Sequence, residues 1–242
     1  GIVVQVNEED IFHRLGVVGK APRGAVAYKF APRQATTVVE DIIVQVGRTG
    51  ALTPVAVLTP VEVGGVTITR STLHNVDEIR RLGLKIGDTV VVQRAGDVIP
   101  QITEVLPKLR SGAERDFRMP TKCPNCGAKV VRQQIAAGEA GIRIVCTNSR
   151  CSTQQLRSLR HFTSKAALNI EGLGPKILGK LFAAGLVTEP ADVFRLTAGD
   201  LAALPGLGEK SAANLIQSIQ SRRRVRLPRF VYSLGILHVG EQ

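Results

Sequence analysis

Tryptophan is absent from this 242-residue chain, tyrosine occurs twice and phenylalanine seven times. Proteins that hold single-stranded nucleic acid stack its bases on aromatic rings, and few are on offer here. No run of eighteen apolar residues occurs, so no transmembrane helix and no membrane partner are expected. A charged-then-apolar leader is also missing, which argues against a secretory signal. Acid is scarce relative to base. Lys and Arg total 32 against 20 Asp and Glu, a formal net charge of +12. Such an excess points to an anionic partner, nucleic acid first and a membrane surface second. With aromatics so few, the backbone of a duplex is the expected target. Hydrophobic residues make up 44%, enough for packed cores.

The charge is uneven. Residues 111–165 carry a net +7, whereas residues 1–110 carry only +2. Arg222, Arg223, Arg224, Arg226 and Arg229 crowd a second basic stretch. A solvated surface run is the ordinary alternative for such a cluster.

All four cysteines fall within 29 residues, as Cys123-x2-Cys126 and Cys146-x4-Cys151. Two close pairs on separate turns can place four thiolates around one tetrahedral Zn²⁺. Cys123-Pro-Asn-Cys126-Gly127 reads as a tight knuckle, with Gly127 free to take a positive φ. Ala128–Arg132 and Ile142–Val145 are expected to form a short hairpin bounded by Gly138 and Gly141. Two disulfides are the alternative, without a secretory context to favour them. With four Cys ligands no open coordination position remains, so the zinc is expected to be structural, and His161 is not needed.

The last third repeats itself. Ile170-Glu171-Gly172-Leu173-Gly174 precedes a helical pattern over Pro175–Ala184, with Ile177, Leu178, Leu181 and Phe182 on one face. Thirty-four residues later, Leu204-Pro205-Gly206-Leu207-Gly208 precedes Glu209–Ser221, with Ala212, Leu215, Ile216 and Ile219 on one face. A partial third copy begins at Leu237-His238-Val239-Gly240. Each unit reads as helix, Gly-x-Gly hairpin, helix, and resembles the helix-hairpin-helix family of sequence-independent DNA binders. Glycine lets the backbone approach closely, and free amides at a helix N-terminus point at phosphate. Gly172, Gly174, Gly206 and Gly208 are therefore expected DNA contacts, with Arg222, Arg223 and Arg224 beside them. Gly174-x4-Gly179-Lys180 imitates a nucleotide-binding loop, but Leu181 stands where Ser or Thr must hold Mg²⁺.

Residues 1–110 read as β-rich, with runs at Ile2–Val6, Ala25–Phe30, Ile42–Val46, Val55–Leu58, Val63–Ile68 and Thr89–Arg94. One helix is expected over Val76–Leu82, capped by Asn75 with Glu78 three residues on. Five strands with a helix between the third and fourth suit an OB-type barrel over about residues 33–108. The fold class is multidomain α+β: an OB-type β-barrel, a small four-cysteine zinc module and an all-α helix-hairpin-helix array.

Local strings then become specific: Ala27-Tyr28-Lys29-Phe30, Val46-Gly47-Arg48-Thr49-Gly50-Ala51-Leu52-Thr53-Pro54, Ser71-Thr72-Leu73-His74-Asn75, and Arg94-Ala95-Gly96-Asp97-Val98-Ile99-Pro100. With the order of modules, they resemble the C-terminal half of bacterial NAD-dependent DNA ligases over the whole chain. The resemblance implies four parts: residues 1–32 as the last strands of the adenylation domain, 33–110 as the OB fold, 111–165 as the zinc module and 166–242 as a truncated helix-hairpin-helix domain. It implies that Lys29 contacts the adenylate phosphate. Gln5 stands where the family usually has a second nucleotide-contacting lysine, and a neutral amide brings no charge. Arg48 and Thr49 match the loop that meets the minor groove near the nick. Arg94 and Asp97 match a second loop, where an ion pair and a DNA contact are equal readings.

The family's nucleophile is the lysine of Lys-x-Asp-Gly, and no such string occurs here. The resemblance thus implies no catalytic residue in this chain, NAD and Mg²⁺ as needs of the parent enzyme, and nicked double-stranded DNA as partner. It also implies a place in the bacterial cytoplasm at the nucleoid, in DNA replication and repair. A free-standing, non-enzymatic DNA-binding scaffold is the alternative.

Overall fold

The computed structural model describes every residue except 20, 29–32, 96–98, 137–138, 238 and 241–242. The described residues group into two compact units, Gly1–Ile43 with Pro54–Arg118, and Val44–Thr53 with Met119–Gln242.

The first unit begins with β1 (Ile2–Gln5), α1 (Glu9–Leu15), β2 (Val17–Val18), β3 (Ala21–Pro22) and β4 (Ala25–Tyr28). β1 pairs antiparallel with β4, and β2 with β3. These elements bury almost nothing: no residue of α1 is buried, and Val3 and Val26 are two-thirds exposed. α1 had no clear signal in the sequence. Glu8 caps it without a side-chain bond, and Glu9 and Asp10 in its first turn suit the helix dipole.

β5 (Gln34–Val46), β6 (Leu52–Val63), β7 (Val66–Thr72), β8 (Thr89–Ala95) and β9 (Ile99–Val105) form one five-stranded sheet in the order β7-β6-β5-β8-β9. α2 (Val76–Leu82) lies between the third and fourth of these strands, as expected for an OB-type barrel. The Ser71 hydroxyl donates to the Pro100 carbonyl at 3.0 Å, bringing β7 against β9. Val39, Ala56, Leu58, Ile68, Val90 and Ile102 fill the interior. The Asn75 side chain accepts from the Glu78 amide at 2.9 Å, and Gly83 ends α2 at φ 60°.

Two strand expectations need correction. Val55–Leu58 is only the middle of β6, which runs from Leu52 to Val63. Val63–Ile68 is not one strand, because the chain reverses at Gly64-Gly65 and leaves Val63 in β6 and Val66–Ile68 in β7. Positive φ at both glycines (62° and 77°) makes a two-residue hairpin that sets Val63 opposite Val66. Pro60, which lacks an amide, does not end β6. It falls where the register shifts between Val57 and Val61, and such an irregularity tolerates a missing donor.

In the second unit β10 (Val130–Ala136) and β11 (Glu139–Cys146) form an antiparallel hairpin, longer than the one read from sequence. α3 (Ser152–Thr163), α4 (Pro175–Ala183), α5 (Ala198–Ala202), α6 (Glu209–Ser221) and α7 (Leu227–Ser233) follow. Leu159, Phe162, Leu178, Leu181, Leu201 and Ile219 centre their common core. The same face of α4 and α6 expected from periodicity points inward: Leu178, Leu181, Ala212, Leu215 and Ile219 are buried, and Ile177, Phe182 and Ile216 pack at the margin. α3 starts at Cys151 and reaches that core with Leu159 and Phe162. The tip of the β5–β6 hairpin, residues 44–53, belongs to this unit as well.

Candidate metal centre and nucleic-acid interface

The Cys123 carbonyl accepts from the Gly127 amide at 2.9 Å, and the Cys123 amide donates to Ala128 O at 2.7 Å. These bonds curl the knuckle around its thiols, and Gly127 takes φ 71° as the sequence led us to expect. The second pair sits at the end of β11 and at the N-cap of α3. All four thiols are free, and their sulfurs lie within 4.8 Å of one another. Cys126 and Cys146 stand 3.5 Å apart at sulfur, close to the edge of about 3.8 Å set by a tetrahedral ion with Zn–S bonds of about 2.3 Å. Cys123, Cys146 and Cys151 are buried and Cys126 is half-buried.

The thiols are unequal. The Ala128 amide holds Cys126 down at about 7, whereas burial pushes Cys146 up to about 12 and raises Cys151 as well. Crowded, buried sulfurs of this kind suit a soft divalent cation that takes them as thiolates. His161 is not part of the group: its Nε2 lies 2.8 Å from Tyr232 O and its ring packs on Tyr232.

The two Gly-x-Gly segments fold alike. Leu173 N donates to Ile170 O, and Leu207 N to Leu204 O, closing matching turns. Gly172 and Gly206 both stand at φ 85°, the left-handed conformation such a turn requires at that place. Gly174 and Gly208 then cap α4 and α6 in extended conformation without any side-chain bond. The first intrahelical bonds are Leu178 N to Gly174 O and Ala212 N to Gly208 O. The first-turn amides before them, of Lys176 and Ile177 in α4 (Pro175 has none) and of Glu209, Lys210 and Ser211 in α6, have no intrahelical acceptor, and most of these residues are exposed.

Between the two hairpins lies a cleft whose polar lining is Glu171, Lys176, Lys180, Ser211, Asn214 and Ser218, with Ile177, Leu207 and Leu215 as its apolar wall. The Lys180 ammonium donates to the carbonyl of Pro205, so α4 props the second hairpin. The sequence reading took the glycines and missed this polar lining. Its signal was present in the i, i+4 pair Lys176 and Lys180 and in the matching polar face of α6.

The arginine cluster divides. Arg222 Nε donates to Asn169 O at 3.2 Å, behind the first hairpin. Arg223 donates to Phe194 O at 2.9 Å and stacks over the Phe194 ring, and Arg229 donates to Lys165 O. Those three brace carbonyls of the helical core, while Arg224 is exposed.

Arg48 is half-buried and donates to the carbonyl of Gly235 at 2.5 Å, while Thr49 beside it is exposed. Nothing in the sequence pointed to Gly235. Gln5 is exposed on β1 opposite Ala25. Lys29 and Asp97 lie outside the described residues, and the Arg94 guanidinium reaches Gly64 O at 3.4 Å. His238, which begins the partial third copy with Leu237, is also outside them.

Residues 36–114 match the family model of the NAD-dependent DNA ligase OB-fold domain, and residues 164–221 that of the SAM-like helix-hairpin-helix tandem. The chain is 53% identical over 240 residues to a DNA ligase of Rubrobacter xylanophilus, covering 99% of this chain and 34% of that protein. It is 50% identical to a DNA ligase of Pelotomaculum thermopropionicum, covering all of this chain and 35% of the relative. A DNA ligase of Halothermothrix orenii is 49% identical over 99% of the chain and 35% of its own length. The chain thus spans about a third of the curated relatives it matches. In its OB fold, its hairpin tandem and nearly its whole length, this chain matches part of the NAD-dependent DNA ligases.

Proposed function

We propose that this chain is the duplex-gripping portion of a ligase that seals nicks in double-stranded DNA at the expense of NAD. The observation that carries the reading is the pair of equivalent hairpins, with Gly172 and Gly206 at the same φ and uncapped helix N-termini behind Gly174 and Gly208. Two such ends, 34 residues apart in sequence, suit phosphates of a backbone and ignore base identity. Exposed Thr49 and Arg224 and the lysines of the cleft extend the contact, and Arg48 joins it when released from Gly235. Cys123, Cys126, Cys146 and Cys151 hold one Zn²⁺, which crosslinks the small β10–β11 module and leaves no position for substrate.

In the parent enzyme a lysine attacks the α-phosphorus of NAD, AMP passes to the 5′-phosphate at the nick, and the 3′-hydroxyl displaces AMP. This chain holds the nicked duplex for those steps, with Mg²⁺ and NAD engaged elsewhere in the enzyme. By the family resemblance Lys29 contacts the adenylate phosphate, while Gln5, opposite Ala25 on β1, brings no charge to the nucleotide. The setting is the bacterial cytoplasm, at the nucleoid. Among the described residues no helix is long and apolar enough to cross a membrane. The match to DNA ligases over nearly the whole chain disfavours a free-standing scaffold.

The test is equilibrium binding to nicked and intact duplexes of two unrelated sequences between about 50 and 200 mM salt. Affinity is expected to fall steeply with salt, with a log–log slope of about −0.9 per phosphate neutralised, and to be the same for both sequences. A flat salt response overturns the reading. On incubation with NAD and Mg²⁺, the chain is expected to gain no covalent AMP, and a stable AMP adduct would contradict the assignment.

A further inference from the structure

The tip of the β5–β6 hairpin is bonded to the four-cysteine cluster through one of the cysteines itself. The Cys146 amide donates to Gly50 O at 2.9 Å, and Ala51 pairs with Val145 in an antiparallel bridge. Val46 and Leu52, at 1% and 4% exposure, pack directly with Cys123, Cys146 and Cys151. Much of the apolar material around the thiols therefore comes from the hairpin rather than from the cysteine module. Gly50 is buried at φ 78°, and a Cβ there would stand about 3.0–3.1 Å from Gln154 and from the Cys146 carbonyl. Gln154 in turn donates to Asn148 O, within the loop joining Cys146 to Cys151. Arg48 and Thr49 are the two residues at the apex of this hairpin, between Gly47 and Gly50.

We infer that the metal cluster is a positioning device for the hairpin tip. Filling the four thiolates fixes Gly50 and Ala51 and so sets where Arg48 and Thr49 stand; losing the ion frees them. The cysteine module is small and has little apolar core of its own, so its order depends on the ion. Coupling between two sites is reciprocal: if the ion orders the tip, packing at the tip strengthens retention of the ion. The functional consequence rests on the reading of Arg48 and Thr49 as duplex contacts, but the coupling does not. The Arg48 bond to Gly235 is a single side-chain contact and is the lesser restraint beside the backbone pairing and two buried side chains.

The test uses the full chain with Zn²⁺ as the probe. Amide hydrogen exchange of residues 46–52 is compared before chelation, after chelation and after zinc is restored, with residues 66–72 as the internal reference. The expected result is reversible acceleration at the tip of about tenfold or more, with β7 unchanged. Equal exchange at the tip with and without zinc overturns the proposal. A second arm keeps every cysteine: Leu52→Ala is expected to lose zinc to a competing chelator about 5- to 150-fold more readily than the parent chain. Retention equal to the parent also overturns it. Arg48→Ala separates this proposal from the binding reading. If that variant binds duplex normally while chelation still frees the tip, Arg48 is no duplex contact and the positioning stands. If it weakens duplex binding while chelation leaves the tip ordered, the positioning alone falls.

Discussion

Arg110 grips Asp88 with two parallel bonds, Nε to Oδ1 at 2.6 Å and Nη2 to Oδ2 at 2.8 Å, and Asp88 is fully buried. The Lys85 amide donates to the same carboxylate at 2.7 Å, and Arg110 also reaches Gly83 O. The residue after β9 and its short 3-10 turn is thereby pinned to the loop entering β8. Asp88→Ala leaves the Lys85 amide without its acceptor and the partly exposed Arg110 guanidinium without its partner, and is expected to cost about 1–3 kcal/mol through the orphaned amide. Thermal unfolding of the barrel measures it, and a change under about 1 kcal/mol would show the pair to be incidental.

Gly172→Ala and Gly206→Ala test the hairpins. A methyl group finds ordinary contact distances at both, 3.4 Å from Leu215 and 3.7 Å from Lys180, so sterics with neighbours are not the obstacle. The obstacle is the backbone, which stands at φ 85° in both glycines. Each substitution is expected to cost about 1–2 kcal/mol through the left-handed conformation alone, or else to shift the turn. Loss of duplex affinity beyond that stability effect is the expected outcome in a binding titration, and unchanged affinity in both variants would remove the hairpins from the interface.

Acid is expected to loosen the helical tandem. Backbone amides of Thr188 and Glu189 hold Asp192 below the usual carboxylate range, and the Thr197 hydroxyl and amide do the same for Asp200. A carboxylate whose folded value is lowered contributes stability that is complete above its unfolded value, about 3.9, and is lost as pH falls through the folded value. Helix melting followed by circular dichroism is therefore expected to shift down only below about pH 4. Asp192→Asn and Asp200→Asn together flatten that dependence; an identical acid response in the double variant refutes the assignment.

The arginines predict opposite behaviour. Arg222→Ala removes the bond to Asn169 O and is expected to cost about 1 kcal/mol or more of stability. Arg224→Ala, at an exposed position, is expected to leave the melting temperature alone and reduce the salt slope of duplex binding by about one phosphate. If both variants behave alike in both measurements, the division between bracing and contacting arginines is wrong.

Local signals in the sequence carried far. The Asn75 cap, the glycines of both hairpins and the inward faces of α4 and α6 were all readable, because each obeys a rule of spacing or backbone conformation within a few residues. The four cysteines were readable for the same reason. What sequence reading missed is long-range: Arg48 with Gly235, Cys146 with Gly50, and Lys180 with Pro205 all join residues that no local pattern relates. It also misjudged β6, because Pro60 looks like a strand breaker until the register shift beside it is known.

α3 has Cys151 at its N-cap and Leu159 and Phe162 in the helical core at its other end. Its length is therefore a measured spacer. Adding or deleting one residue within it would turn the buried face by about 100° and slide it by about 1.5 Å relative to the cysteine. Either the thiol or the two core side chains would then miss their place. A one-residue insertion between Ser152 and Phe162 is therefore expected to unseat either the cysteine cluster or the helical core, although every named site residue stays in the chain.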